Sequence, residues 1–407
     1  MSDYEKLRMT AGKTEGEFVR TLQGRTGTGL QKGSHVHKDW WAKTLSYDEG
    51  LEQLQLEAQS REDILTEVKN VTPTVNDEGQ FVFKVDDRHF LPTEWALGQF
   101  STRCGLPSST VLRNLRTSTD GKHGFNRDTR DAETMVAVAS NSMRRLDQDK
   151  KFRLRTYQDG TLRAFVTEKY APIDNRWYME VIKETLPEGR LSHWKGNADT
   201  IFGNILLPDT IIDYGQDDDT DYGGMLSIGN CEIGKRRISQ MPSLFRAICM
   251  NGCIWGQVKG SAISKKHMGE IDLHELKLQI NDNIQAQLPL LPQGIESLLG
   301  IRAMGTDGVS MKPVIAQVCS ENKFDKRQAT EVLAQWVEHE SSDRNLFGVV
   351  NAITRAGQEF DNQSWVKFDE IGGRLIDTKQ DRWSSLVKRA GTLNDKDIQK
   401  VFLGSAA

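Results

Sequence analysis

The chain has 407 residues, 37% hydrophobic and 8% aromatic, which allows two or three domains with real cores. Its formal charge of −4 at pH 7 excludes a uniformly basic surface, so any affinity for polyanions must come from local patches. An odd set of five irregularly spaced cysteines (Cys104, Cys231, Cys249, Cys253 and Cys319) argues against a secreted disulfide framework and for a reducing cytoplasm.

Residues 1–50 read as a polar, Gly-rich arm, with GRTGTGLQKG at its centre. That run lacks the GK[ST] ending of a phosphate-binding Walker loop. The opening MSDYEKLRMT has no apolar stretch of the kind a signal peptide needs, and no segment reaches the roughly 20 apolar residues of a membrane span, so neither a leader nor a membrane is expected. A Glu- and Leu-rich stretch predicts a helix over Tyr47–Val68. FVFKVDDRHF (81–90) reads as one strand. LPTEWALGQFSTRCGL predicts a helix from near Pro92, with Trp95, Leu97, Phe100 and Cys104 as its apolar contacts and Gly105 as its stop; LPSSTVLRNL starts another, capped by Ser108 or Ser109.

Thr129–Asp147 predicts a helix with a stripe of Met135, Val136, Val138, Ala139 and Met143. After a hairpin over Lys151–Tyr170, APIDN makes a turn, Arg176–Thr185 a helix, and Asp174 suits its cap. Thr200–Leu207 and Met225–Ile233 read as strands around the acidic loop IIDYGQDDDTDYGG. SLFRAICMNGCIWGQVKG (243–260) reads as strand, turn and strand. From Leu273 onward helical periodicity dominates through Trp336, Asn345–Gln358 and the tail, with Pro289 and Pro292 breaking the first helix. The pattern predicts an α+β fold: an arm and helix over 1–75, an antiparallel β-sheet core with packed helices over 76–270, and a mainly helical region over 271–407.

The hairpin KFRLRTYQDGTLRAFVTEKY is the richest segment. A two-residue Asp159-Gly160 turn sets Arg155 opposite Ala164 and Leu154 opposite Phe165, mixing charged and apolar groups on both faces. A three-residue loop, Gln158-Asp159-Gly160 with Gly160 at positive φ, sorts them. Phe152, Leu154, Thr156, Leu162, Ala164 and Val166 then share one face; Lys151, Arg153, Arg155, Tyr157, Thr161, Arg163, Phe165 and Thr167 share the other. A one-residue slip would bury the arginines, so the pattern selects this second register. Seven Lys or Arg residues against three Asp lie between Arg144 and Arg163. In this reading Lys151, Arg153, Arg155 and Arg163, with Lys169 beyond them, neutralise phosphates. Tyr157 and Phe165 stack bases, at about 1–3 kcal/mol per base. A plain solvated strand face or a protein interface fits the same pattern. A second basic run, Lys235, Arg236 and Arg237, continues through Lys259, Lys265, Lys266 and His267 without an acidic residue from Lys235 to Lys266. It forms a groove wall if it lies beside the hairpin, and a charged rim if it does not.

Other motifs carry less. His35 and His37 lack further ligands, Cys249 and Cys253 are too widely spaced for a metal or redox pair, and DDDTD (217–221) lacks the Gly and Glu of a calcium loop. No nucleophile elbow, zinc-protease or kinase set is present. No catalytic residue, metal or cofactor is therefore expected, although Asp86, Asp87 and Glu168 leave a nuclease as a third reading.

Four segments in order, LPTEWALGQFSTRCGLPSSTVLRNL, RTYQDGTLRAFVTEKYAPIDN, SLFRAICMNGCIWG and NLFGVVNAITRAG, resemble the phage/plasmid-like protein family, a domain of unknown function. The resemblance spans about residues 80–360 and is most specific from Arg155 to Asn175. It implies a mobile-element setting in a bacterial host cell, and no reaction. A fold-level analogy connects the β-hairpin, basic groove and self-association to phage single-strand annealing proteins. The expectation is a cytoplasmic single-stranded nucleic-acid-binding protein, acting on DNA in recombination or replication and able to form homo-oligomers. The alternative is a non-enzymatic host-interaction or anti-defence protein.

Overall fold

The computed structural model describes residues 44–58, 60–106, 129–196, 199–210, 212–213, 221–246, 251–254, 263–265, 267–360 and 362–403. The glycine-rich run, His35, His37, the expected helix at Ser108–Ser109, most of the acidic loop, Cys249, Lys259 and Lys266 lie outside them. The architecture is α+β, with two largely antiparallel sheets and a helical C-terminal region.

The first sheet has six strands, β1 (Arg61–Glu67), β2 (Val71–Val75), β3 (Phe81–Val85), β4 (Arg88–Pro92), β5 (Lys151–Tyr157) and β6 (Thr161–Thr167), in the order β1-β5-β6-β4-β3-β2. Two sequence expectations change here. The helix expected over Tyr47–Val68 ends as α1 (Tyr47–Ala58), and the remainder becomes β1, because its ladder with β5 outweighs the weak helical preference of a Glu/Leu-rich run. The strand expected over 81–90 is a hairpin, folded at Asp86 with φ 52°, a conformation that Asp tolerates better than most residues. Helix α2 (Glu94–Arg103) starts where Thr93 Oγ1 accepts the Ala96 N–H, and the chain leaves it through Gly105 at φ 66°. Helix α3 (Thr129–Met143) stops short of the expected Asp147.

The β5–β6 hairpin combines both registers considered from sequence. Its loop is Gln158-Asp159-Gly160, with Gly160 at φ 77° and Thr156 opposite Leu162. A bulge at Arg163 then shifts the ladder, so Arg155 faces Ala164 and Leu154 faces Phe165. Phe165 consequently turns to the opposite face from the one expected. It joins Phe83, Phe100 and Phe152 in a core under α2 and α3, with ring centroids 5.7, 5.3 and 4.8 Å from its own.

The second sheet contains β7 (Arg190–Gly196), β8 (Thr200–Leu206), β9 (Ile212–Asp213), β10 (Asp221–Cys231), β11 (Ile238–Arg246), β12 (Asn251–Ile254) and β13 (Ile263–Lys265). Its path runs β12-β11-β10-β8-β7, with β13 on β11 and β9 on β10. Helix α4 (Asn175–Thr185) and α1 pack against it. The later helices are α5 (Leu273–Gln287), α6 (Leu291–Gly300), α7 (Met311–Glu321), α8 (Lys326–His339), α9 (Leu346–Gly357), α10 (Asn362–Ile376), α11 (Gln380–Ala390) and α12 (Asp395–Leu403). A 3₁₀ turn containing Pro289 separates α5 from α6. One cluster of buried side chains, including Ile228, Leu244, Leu291, Trp336, Phe347 and Trp383, spans this sheet and the helices.

Because Phe165 is buried among three other rings, Phe165→Ala is expected to lower stability by about 3–5 kcal/mol, whereas exposed Lys151→Ala changes it by about 0.5 kcal/mol or less. Urea unfolding midpoints compare the two; equal midpoints would place Phe165 at the surface.

Candidate functional site

The exposed cationic face expected for the hairpin is not formed, because both faces are covered. Beneath the face that carries Arg155 lies the end of the second sheet, and the contact is ionic. Arg155 is 2% exposed. Its Nε and Nη2 donate to Asp63 on β1 at 2.8 and 2.7 Å, and its Nη1 donates to the Glu232 carboxylate at 2.9 Å and to the Glu232 carbonyl at 3.0 Å. Arg61 also binds the Glu232 carboxylate and sits 3.1 Å from Asp174. Asp174 occupies the N-cap position of α4, yet its carboxylate makes no cap hydrogen bond; Glu232 Oε1 accepts the Asn175 N–H instead, at 2.6 Å.

Burial works against all of these charges, and the pairing answers it. Burial pushes the Asp63 carboxyl up, but the hydrogen bonds and charge of Arg155, with Arg153 and Arg61, outweigh it and hold the group below the ordinary range. Burial drives Glu232 upward, opposed by Arg61, Arg155 and the Asn175 N–H. A bidentate guanidinium–carboxylate pair of this kind is geometrically specific.

The chain beyond Glu232 forms a turn from β10 to β11 that leans on the first sheet. The Ile233 carbonyl accepts Trp95 Nε1 and Gln99 Nε2, both at 2.8 Å, and Gln99 Oε1 accepts the Phe165 N–H at 2.8 Å. The turn needs positive φ at Gly234 (76°), where an added Cβ would also meet Gln99 at 3.4 Å and Tyr170 at 3.5 Å. The Tyr170 hydroxyl donates to the Cys231 carbonyl at 3.2 Å.

Between this turn, α2 and the end of β6 opens a cleft of about 460 Å³. Arg103, Lys235, Arg236 and Arg237 line it, and among the described residues no carboxylate does. Tyr170 and His267 stack within it, with centroids 5.5 Å apart and planes at 8°, and Met268, 62% exposed, lies at its edge. The Lys235 ammonium sits 5.5 Å from the Trp95 ring. Burial lowers the His267 pKa to about 4; a hydrogen-bonding contact with the Ala171 backbone opposes it, and the charge of Arg155 adds a smaller push downward.

The residues expected from sequence are therefore divided. Lys235, Arg236 and Arg237 line the cleft. Arg153, half-buried, lies directly across the ladder from Val166 in the cleft wall, and exposed Lys169 holds the loop after His267 through its carbonyl, which accepts the Gly269 N–H at 2.9 Å. Lys151 is exposed at the start of β5. Arg155, Tyr157 and Phe165 are buried, so the stacking and phosphate roles expected of them are withdrawn. Arg163 sits over the Tyr157 ring at 4.0 Å and within 3.6 Å of both Asp159 and Asp199, its charge already answered. Sequence reasoning did not select Arg103 or Tyr170, and named His267 only as the end of the second basic run, not as a site residue. Their signal was present only as chain segments, since all three fall in or beside the basic and family-like stretches.

Among the described residues no group of three or more His, Cys, Asp or Glu is placed to hold a metal ion, and no helix is long and apolar enough to cross a membrane. Cys104, Cys231 and Cys319 are buried free thiols. No protein-family model, curated protein or solved structure matches the chain.

Removing the Arg155 guanidinium leaves Asp63 and Glu232 buried with too little positive charge, so Arg155→Met is expected to cost about 3–5 kcal/mol at neutral pH. The Asp63 part of that stability is present in full above the ordinary Asp range of about 4 and is lost as pH falls through its depressed folded-state pKa. The gap between wild type and variant in urea unfolding should thus narrow under acid; a constant gap would remove the Asp63 pairing as its source.

Proposed function

We propose that this protein binds single-stranded nucleic acid, DNA foremost, through the cleft between the two sheets and not through the outer face of the β5–β6 hairpin. The observation that carries this reading is the convergence of Arg103, Lys235, Arg236 and Arg237 on one cleft whose described lining includes no carboxylate, in a chain whose overall charge is negative. Such local concentration of one sign in a low-dielectric recess attracts a polyanion that the total charge would repel. Arg153, across from Val166, lies near this edge but is 3.9 Å from Asp63, which it shares with Arg155. Met268 offers an apolar contact at the edge for an unstacked base.

The chemistry required is binding and release only. A protein that grips phosphates and leaves base edges exposed can hold a strand for pairing with its complement, which suits an annealing role in the recombination or replication of a phage or plasmid. Self-association, expected from the annealing analogy, belongs to the same proposal.

Anisotropy of a labelled oligothymidylate is the test. Affinity should fall steeply with salt, with a logarithmic slope of about −0.7 per phosphate neutralised. The double variant Lys235→Glu/Arg237→Glu should bind about tenfold or more weakly, equivalent to about 1.4 kcal/mol, while Lys388→Glu on α11, outside the cleft, should bind as wild type does. Salt-independent binding, or a double variant of unchanged affinity, would favour a protein partner at this surface instead.

A further inference from the structure

Simple charge attraction leaves one polar side chain of the cleft unused. His267 is 4% exposed and lines the cleft; neither ring nitrogen makes a well-aligned hydrogen bond, and the Ala171 backbone supplies only a weak contact at one side of the ring. Buried polar groups without partners are rare and costly, and a partner supplied from outside the chain resolves the deficit. The ring cannot swing away easily, because it lies flat against Tyr170, whose hydroxyl is anchored to the Cys231 carbonyl.

We propose that His267 is a phosphate ligand of the cleft: neutral while the cleft is empty, it takes a proton from solvent as the anion enters and donates a charge-assisted hydrogen bond to a non-bridging phosphate oxygen. The inference rests on the nucleic-acid reading only for the identity of the anion.

The groups around the ring explain the coupling. Arg103 lies on the α2 side, Lys235, Arg236 and Arg237 on the turn from β10, and Arg155 beneath on β5. The nearby carboxylates, Asp63 and Glu232, are already bound by Arg155, and burial keeps Tyr170 protonated. With the cleft empty, burial and, to a lesser degree, the charge of Arg155 hold the ring neutral down to about pH 4. An anion placed among the same groups reverses the sign of the local field and favours the imidazolium. The bound-state pKa is then the higher one. Proton uptake accompanies binding between the two values, and affinity rises as pH falls through that window, by up to about tenfold per pH unit for one proton.

Two measurements on the full chain test this. Oligothymidylate affinity is followed from about pH 8 to about pH 5 for wild type and for His267→Gln, which keeps a donor but does not titrate in this range. Wild type should gain several-fold over the variant toward low pH. Separately, the His267 ring resonance, identified by its contact with the Tyr170 ring, is titrated with and without excess sulfate, a phosphate mimic with no proton to exchange in this range. Its pKa should rise by about one unit or more with sulfate. Equal pH profiles in the two proteins, or a ring pKa that sulfate leaves unmoved, would overturn the inference. If His267→Gln does not fold, the sulfate titration of wild type decides alone. A sulfate-induced rise with no oligothymidylate binding at any pH would sustain His267 as an anion ligand and sink the nucleic-acid reading.

Discussion

The guanidinium of Arg155 stands between two sheets and answers carboxylates from both. Asp63 comes from the neighbouring strand β1, and Glu232 from the end of β10 in the other sheet. Burying three charges this deeply costs several kcal/mol per ion before any pairing, and only close, multiply hydrogen-bonded geometry recovers it. The arrangement meets that demand, since Arg155 makes hydrogen bonds of 2.7–3.0 Å through all three of its nitrogens. Apolar contact alone would tolerate sliding of one sheet over the other. A directional ionic contact admits far fewer relative positions, and everything attached to Glu232 inherits that restriction.

The turn from β10 to β11 is what inherits it. Held at Glu232 by Arg155 and Arg61, and at Ile233 by Trp95 and Gln99, it has little freedom to place Lys235, Arg236 and Arg237 anywhere but against α2 and the end of β6. The same contacts sort the charges. Glu232 is consumed by two arginines, Asp63 by Arg155, and Asp159 and Asp199 stand beside Arg163. Glu232, Asp63 and Asp199 are thereby largely covered, and the described lining of the cleft beside them carries cations. A chain of net negative charge can in this way present a positive recess without a basic composition.

His267 follows from the same geometry. The segment that reaches back from β13 places it against Tyr170, and the Tyr170–Met268 bridge and the Gly269 N–H to the Lys169 carbonyl fix its position in the cleft wall. The ring is uncharged chiefly because burial strips the imidazolium of water, and an anion bound beside it would offset that cost. Structural and proposed binding roles are therefore separated by residue: Arg155 and Glu232 set the frame, while Lys235, Arg236, Arg237, Arg103 and His267 line the space it creates.

The α+β class, the stop at Gly105, the three-residue loop with Gly160 at positive φ and the basic run at Lys235–Arg237 were all legible in the amino-acid order, because turn chemistry, helix periodicity and charge clustering are local properties. The fate of the hairpin faces was not. Its register depends on a bulge at Arg163, and the burial of Arg155 depends on carboxylates 92 and 77 residues away along the chain. An arginine in an alternating strand pattern reads as solvent-facing unless partners able to neutralise it are known to arrive, and only the packing of one sheet against the other brings them. The chain order thus determined which cations exist and which turns present them; tertiary structure decided which become internal struts and which line the cleft, because burial of charge is settled by distant counter-charges and not by neighbours in sequence.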